Sequence, residues 1–288
     1  MQKNAQKTDF PEWQHYSQAE LDSQYNQASL VGNIAEIIQQ QNAASTAFRQ
    51  QFSAGGGQVQ TLEMPDPALQ IDLFSASEKP YALVFFVPGG AWLKDDSWQS
   101  IPAMAEPLLA AGAGLAVLRV NTVHTHALEA LCEEVGAAAS WLAGQAGPLG
   151  LAADKVILSG HSSGAHLAAV AGTRLARSRP GLLRHLFFIS GMYDLTPVRA
   201  SARNDYLHLS EGEVAPLSPI MGIDANLPPV SLRVASAELT EFRRQSAAFA
   251  EALAGQGREV DYQEIGGCNH FTILEPAAKE LARLVASL

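Results

Sequence analysis

The chain has few cysteines and no long apolar run, and these absences exclude several classes of protein. Its 288 residues include only two cysteines, Cys132 and Cys268, which lie far apart in the sequence and build no disulfide framework. No uncharged apolar stretch reaches the length of a membrane span, and the first nine residues lack the apolar core of a secretory signal peptide. The sequence therefore predicts a cytoplasmic protein with no membrane partner.

Positive charge is also scarce. The 19 Lys and Arg residues stand against 29 Asp and Glu, which gives a formal net charge of −10. Nucleic acids and anionic membranes attract basic surfaces, so this balance argues against either as a partner. The 47% of hydrophobic residues is typical of a globular protein, and the length suffices for one large domain with a sizeable core.

The pattern of apolar residues divides this domain, residues 1–288, into an N-terminal helical extension, 1–57, and a core, 58–288. Apolar residues near helical spacing predict one helix over 28–52, which three glycines at 55–57 end. From residue 58 onwards strands alternate with helices, which is typical of a parallel sheet covered by helices. The predicted strands cover 58–63, 69–75, 81–87, 114–120, 155–159, 185–190, 230–236 and 259–265. The predicted helices cover 98–111, 127–145, 163–177, 241–255 and 276–287.

This alternation predicts an α/β fold with an eight-stranded, mostly parallel sheet and helices on both faces. The first two strands have no helix between them, so they are expected to form an antiparallel hairpin at one edge. Residues 196–229 interrupt the alternation and contain five prolines. Because long connections inside a compact domain are more often functional, we expect this excursion and the N-terminal extension to form a small lid. An ordinary surface loop is the alternative.

The pentapeptide Gly-His-Ser-Ser-Gly at 160–164 lies between an apolar, β-branched run and an Ala-rich helical run. Strand, G-x-S-x-G and helix in this order are the context of a nucleophile elbow, a tight turn that exposes the serine hydroxyl. A Ser/Gly turn between two buried elements is the alternative. Since the context on both sides fits the elbow, the sequence predicts Ser162 as a nucleophile.

A serine nucleophile needs a base within hydrogen-bond reach and an acid that orients the base. After an elbow of this kind, the acid and then the histidine follow along the chain. His270 follows the last predicted strand, at the carboxyl end of the sheet where ligands bind. His185 begins a strand at the opposite end, and His208 lies in the excursion. The sequence therefore predicts His270 as the base, with a helix-capping loop histidine as the alternative.

Three carboxylates are candidates for the acid. Glu238 directly follows the seventh predicted strand and is favoured. Asp194 follows the sixth strand, where its structural alternative is a turn or a helix N-cap. Glu241 begins a helix, where a carboxylate also suits the helix dipole. From the residues alone, Glu238 is the preferred acid and the other two remain open.

The Pro-Gly-Gly-Ala-Trp run at 88–92 follows the third predicted strand and is suited to an oxyanion hole. Such a hole needs backbone N–H donors close to the reacting carbonyl, and glycines allow that close approach. The donors are predicted to come from Gly89, Gly90 and Ser163, the residue after the nucleophile. A simple Pro-Gly-Gly turn is the alternative. The substrate pocket is predicted to include Ala91, Trp92 and His161.

His124 and His126 suggest a metal-binding pair, but the sequence offers no third ligand at a convincing spacing. Turn or surface histidines are the favoured interpretation, and we expect neither a metal nor a cofactor. Cys268 lies two residues before His270 and is interpreted as a small side chain that fills the loop near the site.

Several motifs along the chain resemble those of one family. They are Pro-Gly-Gly-Ala-Trp at 88–92, Ser-Gly-His-Ser-Ser-Gly-Ala-His-Leu at 159–167, Ser-Gly-Met-Tyr-Asp-Leu at 190–195, Glu-Leu-Thr-Glu-Phe-Arg-Arg-Gln-Ser at 238–246 and Asn-His-Phe at 269–271. From about residue 12 to the C-terminus, the chain resembles the arylformamidase (kynurenine formamidase)-like branch of the α/β-hydrolases, close to small carboxylesterases with an H-G-G-x-W motif. The resemblance implies an α/β-hydrolase fold and the triad of Ser162, Glu238 and His270. It favours Glu238 further, because the run after this residue fixes the register of the acid.

The sequence differs from the family pattern at two places, and both lie next to the predicted mouth of the site. Pro88 stands where the family has the His of H-G-G-x-W, so the side-chain hydrogen bonds that brace this loop would be lost. Arg-Val-Asn-Thr-Val at 119–123 stands where relatives often carry Y-x-L-A-P. Both departures bear on the identity of the substrate rather than on the type of reaction.

These patterns predict a metal-independent serine hydrolase that forms an acyl-enzyme. Its substrate is expected to be a small ester or an N-acyl or N-formyl amide, with aromatic substrates favoured. Esters and formamides remain equally open, because one triad can cleave both. The alternative function is a catalytically silent α/β-hydrolase that binds a small molecule. Relatives in this branch are often dimers, so the resemblance also allows a homodimer.

Overall fold

The core of the protein is one open sheet whose strands match the predicted apolar runs. The computed structural model describes residues 10–65, 67–75, 80, 82–101, 104–151 and 155–288. The strands are β1 (Gln58–Pro65), β2 (Ala68–Ser75), β3 (Ala82–Val87), β4 (Ala113–Arg119), β5 (Val156–His161), β6 (Leu183–Ile189), β7 (Val230–Ala235) and β8 (Val260–Ile265). The described α-helices are α1 (Gln18–Ser23), α2 (Ile34–Ala54), α3 (Ala105–Ala110), α4 (Leu128–Gln145), α5 (Ser163–Ser178), α6 (Leu195–Ala200), α7 (Asn204–Leu207), α8 (Glu211–Val214), α9 (Thr240–Gly255) and α10 (Leu274–Ser287).

The eight strands lie in the order β1-β2-β4-β3-β5-β6-β7-β8. β1 and β2 form the expected antiparallel hairpin at one edge, and β2 is also antiparallel to β4. All the other neighbours are parallel. The prediction of an eight-stranded, mostly parallel α/β sheet is therefore confirmed.

Both faces of the central strands are covered, which explains why these strands are apolar throughout. In β3, Leu83 and Phe85 pack into a cluster with residues of α4, α5 and α9. Val84 and Phe86 point to the opposite face and pack with residues of α3 and α10. All four side chains are fully buried, and burying one of this size is worth about 1.5–3 kcal/mol. The sheet is thus held rigidly between two helical layers.

Two helix predictions were wrong in extent. The N-terminal helix begins at Ile34 rather than 28, because Gly32 and Asn33 have little preference for helix; a short 3-10 helix at Gln27–Leu30 precedes them. The helix predicted over 98–111 is divided into a 3-10 helix at Ser97–Ser100 and α3. Residues 102 and 103 of that prediction, like Tyr81 and residues 1–9, lie outside the described residues. The excursion carries three short α-helices, α6 to α8, and a 3-10 turn at Pro219–Met221.

The parallel strands direct their carboxyl ends to the same edge of the sheet. The loops that follow β3, β5, β7 and β8 therefore meet there, as ligand-binding loops do in open α/β folds. The N-terminal segment, residues 10–57, reaches the same edge through hydrogen bonds from Gln27 to Glu238 and from Gln41 to the carbonyl of Phe271. Within the described ranges, no helix is both long and apolar enough to cross a membrane.

Candidate active site

The turn between β5 and α5 has the geometry of a nucleophile elbow. Ser162 has φ 54° and ψ −125°, a combination that a residue with a Cβ adopts only under strain. A Cβ added to Gly164 would collide with the backbone carbonyls of Val87 and Pro88, so helix and strand can approach this closely only with glycine there. The turn directs the side chain of Ser162 into a cavity at the edge of the sheet.

Ser162, His270 and Glu238 form a continuous hydrogen-bonded relay. Ser162 Oγ lies 3.0 Å from His270 Nε2, and His270 Nδ1 lies 2.7 Å from Glu238 Oε2. An ionised carboxylate can only accept, so Nδ1 carries the proton and Nε2 is free to accept one from the serine. The three residues come from the loops after β5, β7 and β8 and are each less than a tenth exposed. The arrangement is suited to moving a proton from Ser162 to His270.

The carboxylate of Glu238 is fully buried, and each of its oxygens has two donors. Oε1 accepts from Ser190 Oγ at 2.5 Å and from the Ala235 N–H at 2.8 Å. Oε2 accepts from His270 and from Gln27 Nε2 at 3.1 Å. A buried charge is tolerated only with such partners. Neither Ser190 nor Gln27 was found from the sequence, and Gln27 is 211 residues away along the chain.

Aromatic rings surround His270 and shield its bond to Glu238 from water. Phe242 and Phe271 meet the imidazole edge-on, with ring centroids at 5.0 and 5.3 Å. The ring of His161 lies 4.7 Å away and donates from Nε2 to the carbonyl oxygen of His270 at 2.9 Å. Burial lowers the pKa of His161, and the nearby His270 lowers it a little further. This ring is therefore neutral near pH 7. His161 lines the cavity and also fixes the loop of the candidate base.

The loop after β3 packs directly against the elbow. A Cβ added to Gly89 would lie 3.0 Å from the Cβ of Ser162, so the loop backbone and the nucleophile are in contact. Gly89, Gly90 and Ala91 all line the cavity. The hydroxyl of Ser97 donates to the carbonyl of Gly89 and so braces this loop, where Pro88 offers no side-chain donor. The N–H of Ser163, the first residue of α5, has no acceptor within its own helix.

Trp92 was predicted to be part of the substrate pocket, but the structure does not place it in the cavity lining. Its side chain is 3% exposed and lies behind the loop, outside the wall of the cavity. The indole N–H donates to His166 Nδ1 at 3.3 Å, and the two rings meet edge-on at 5.4 Å. His166 Nε2 donates in turn to the Leu217 carbonyl at 2.8 Å. A buried indole needs an acceptor for its N–H, and His166 provides it on the inner side of the loop.

The relay opens into a cavity of about 340 Å³. The elbow and the glycine loop form one side, and the N-terminal segment forms the opposite side. The apolar part of the lining includes Ala28, Ile34, Ile38, Ile101, Phe271 and Leu274. The uncharged polar part includes Asn26, Gln41, Asn42, Ser97 and Ser100. Among the residues that the structure describes, the charged side chains of the lining are Lys94, Asp96 and Arg203. This lining suits a small, partly apolar molecule that carries a few polar groups.

The other candidate acids and bases have structural partners elsewhere. Asp194 caps α6, with its carboxylate accepting from the backbone N–H two residues on at 2.8 Å. Glu241 is buried beside Arg244, with an N–O distance of 2.6 Å. His185 bonds to a serine hydroxyl between β6 and β7, and His208 ends α7 in the left-handed conformation. The structure therefore joins Glu238 alone, among the three candidate acids, to His270.

The histidines suggested as a metal pair show no metal-binding arrangement. His126 lies 3.5 Å from Glu134 and bonds to the neighbouring threonine hydroxyl. In the part of the chain that the structure describes, no three His, Cys, Asp or Glu side chains are grouped to hold a metal ion. Cys268 is buried and donates to the Ile265 carbonyl, and burial raises the pKa of its thiol.

The sheet order, the elbow after β5 and the loops at the carboxyl edge define an α/β-hydrolase. The BD-FAE family model matches residues 69–184, which include the glycine loop and the elbow. The chain is 25% identical to the kynurenine formamidase of Danio rerio, over 93% of this chain and 94% of the relative. Homology thus indicates a hydrolase of the esterase or formamidase type.

Two solved structures share the fold. A candidate thioesterase of Silicibacter sp. TM1040 is 23% identical with a TM-score of 0.78, over 93% of this chain and 98% of that one. An esterase of Pyrobaculum calidifontis is 17% identical with a TM-score of 0.73, over 91% of this chain and 97% of that one. Together with the sequence relatives, these likenesses confirm the resemblance to the arylformamidase-like esterase branch of the α/β-hydrolases.

Proposed function

We propose that the protein is a serine hydrolase that cleaves a small ester or an N-acyl or N-formyl amide through an acyl-enzyme. The observation that carries this proposal is the relay from Glu238 through His270 to Ser162, which opens into a cavity bordered by Gly89 and Gly90. The candidate nucleophile, the candidate base and the glycine loop thus line one cavity, and the candidate acid is bonded to the base behind them. The formamidase relative supports N-formyl amides as substrates, and the apolar lining supports an aromatic leaving group.

The reaction begins when Ser162 Oγ attacks the carbonyl carbon and His270 Nε2 takes the serine proton. The carbonyl oxygen becomes negatively charged and accepts hydrogen bonds from the backbone N–H groups of Gly89, Gly90 and Ser163. Each such donor is typically worth about 2.7–4 kcal/mol in the transition state. Glu238 holds the imidazole in the required tautomer and stabilises its positive charge.

The tetrahedral intermediate then collapses, and the bond between carbon and the leaving group breaks. His270 gives its proton to the departing oxygen or nitrogen, which leaves the acyl group on Ser162. An amide nitrogen needs this proton more than an ester oxygen does, because an amine anion is a poor leaving group. A water molecule next attacks the acyl carbon while His270 takes its proton. The bond to Ser162 breaks as His270 returns that proton to Oγ.

A serine-reactive fluorophosphonate tests the nucleophile. We expect one covalent adduct on the wild-type protein, mapped to Ser162, and none on Ser162→Ala. Ser178→Ala is a matched control, because Ser178 is an exposed serine at the far end of α5. If the intact protein gives no adduct and cleaves no ester or amide, the catalytically silent alternative replaces this proposal.

The reaction type is tested by comparing N-formylkynurenine with p-nitrophenyl acetate. Turnover of both, lost together in Ser162→Ala, is the result expected for one triad acting on both bonds. If the ester is cleaved and the formamide is untouched, the formamidase part of the proposal is refuted. The serine esterase part would then stand alone.

A further inference from the structure

Arg203 is a half-buried cation in the wall of the cavity, and no carboxylate neutralises it among the described residues. Other arginines that are buried or half-buried do have such a partner. They are Arg49, Arg119, Arg174, Arg233, Arg243 and Arg244. A second exception, Arg258, lies outside the cavity and bonds to backbone carbonyls. Arg203 differs from Arg258 because it lines the same cavity as Ser162. Since removing a charge from water without a charged partner is costly, such a cation in this wall is unusual.

The guanidinium of Arg203 is held firmly in place although its charge is unpaired. Nη2 donates to the Tyr25 carbonyl at 2.6 Å, and Nη1 donates to the Tyr206 hydroxyl at 3.1 Å. The group also lies 5.7 Å from the ring centre of Tyr25 and 5.8 Å from that of Trp92. A guanidinium has five N–H donors, and these two bonds leave others for a ligand. A fixed cation with spare donors is suited to bind an anion.

The charges around the cavity favour the same conclusion. Among the described residues, the formally charged side chains of the lining are Lys94, Asp96 and Arg203. This part of the lining carries one more positive than negative charge, in a chain whose net charge is −10. A carboxylate matches the fork of a guanidinium, and such charge-assisted bonds are stronger than neutral ones.

We propose that Arg203 binds a carboxylate of the substrate. The substrate class is then a short-acyl ester or amide of an aromatic molecule that also bears a carboxylate. This inference rests on the proposed function, since it needs a hydrolysed bond at Ser162. The competing explanation is that Arg203 only ties the N-terminal segment to the excursion through Tyr25 and Tyr206.

Two substrates with the same reacting ester separate these explanations. 3-Acetoxybenzoate carries a carboxylate, whereas 3-acetoxybenzamide is neutral and nearly the same shape. We expect kcat/KM of the wild type to be about tenfold or more higher for the anion, the effect of one charge-assisted hydrogen bond. Arg203→Gln should lower kcat/KM for the anion about tenfold, mainly through KM, and should leave the neutral ester within about twofold.

Arg203→Lys keeps the charge without the fork and should retain part of the preference for the anion. Arg258→Gln is the matched control, because it removes a half-buried arginine that lies outside the cavity lining and has no carboxylate partner among the described residues. It should leave kcat/KM unchanged for both substrates. Equal kcat/KM for both substrates in the wild type would overturn the inference. An equal loss for both in Arg203→Gln would also overturn it and would make Arg203 a structural tie. Either result leaves the serine hydrolase proposal intact, since that proposal fails only if neither ester is cleaved and Ser162 is not labelled.

Discussion

Gln27 links the N-terminal segment to the candidate triad, and its replacement tests whether this segment takes part in catalysis. Its Nε2 donates to Glu238 Oε2 at 3.1 Å, and its Oε1 accepts from the Leu239 N–H at 3.3 Å. The side chain is 5% exposed, so Gln27→Leu fills nearly the same volume but removes both hydrogen bonds. Glu238 would then keep three donors instead of four, and one of its buried lone pairs would have no partner.

A hydrogen bond to a charged group is worth about 1.5–3 kcal/mol. If Glu238 is held less firmly while it stabilises the imidazolium, most of that loss falls on the transition state. We therefore expect kcat for p-nitrophenyl acetate to fall roughly tenfold to a hundredfold in Gln27→Leu, with a much smaller change in KM. Steady-state kinetics with this small ester measures the effect, because it gives kcat and KM separately.

Gln24→Leu is the control. Gln24 lies in the same segment and accepts from the Glu241 N–H at 3.2 Å, but it is not hydrogen-bonded to Glu238 and is not one of the residues that line the cavity. Its replacement removes one hydrogen bond between the segment and the core, similar to the bond between Gln27 and the Leu239 N–H. The kcat of Gln24→Leu should stay within about twofold of the wild type. The reasoning is refuted if Gln27→Leu retains wild-type kcat, or if Gln24→Leu loses as much activity as Gln27→Leu.

Three further predictions concern the acid, the glycine loop and a buried histidine. Glu238→Ala should lower kcat by about a thousandfold or more, whereas Asp194→Ala should cost less than about tenfold; the opposite ranking in ester turnover would move the acid to the loop after β6. Ser97→Ala removes the brace on Gly89 and should lower kcat about fivefold at unchanged KM, and an unchanged kcat would show that the loop needs no brace. Burial lowers the pKa of His166 to about 4, below the 6.5 of an exposed histidine, so the unfolded chain takes up the proton first and stability falls as the pH drops from 6.5 towards 4. His166→Gln cannot titrate and should reduce this loss by about 2–3 kcal/mol between pH 7.5 and 4.5, measured by urea unfolding; an equal loss in both proteins would contradict it.

The sequence predicted the sheet and the core of the candidate site because both depend on local patterns. The alternation of candidate strands and helices located all eight strands, continuous apolar runs marked the central ones, and the strand–turn–helix context marked Ser162. His270 followed from topology, since the carboxyl ends of parallel strands meet at one edge. The residues after β7 favoured Glu238, and the structure joins this carboxylate to His270 at 2.7 Å.

The parts that the sequence could not predict depend on contacts between distant segments or on the direction of a side chain. Gln27 reaches Glu238 only because the N-terminal segment folds back over the sheet, and no motif in a Gln-rich stretch distinguishes it. Ser190 was predicted only as the last residue of a strand, and its hydrogen bond to Glu238 depends on the pairing of β6 with β7. Trp92 was correctly placed on the loop after β3, but sequence position does not tell which side of a loop an indole faces.

Backbone strain connects the fold to the candidate site. Among the described residues, five that are not glycine have a positive φ, and four of them are Ala91, Trp92, Ser162 and Ser190. These four follow β3, β5 and β6 at the edge where the relay lies. Each costs about 1–3 kcal/mol, which persists only where the surrounding packing leaves the backbone no alternative. The buried strands supply that constraint, so the same rigid sheet that stabilises the protein also holds Ser162, the glycine loop and a donor to Glu238 in strained positions at one edge of the sheet.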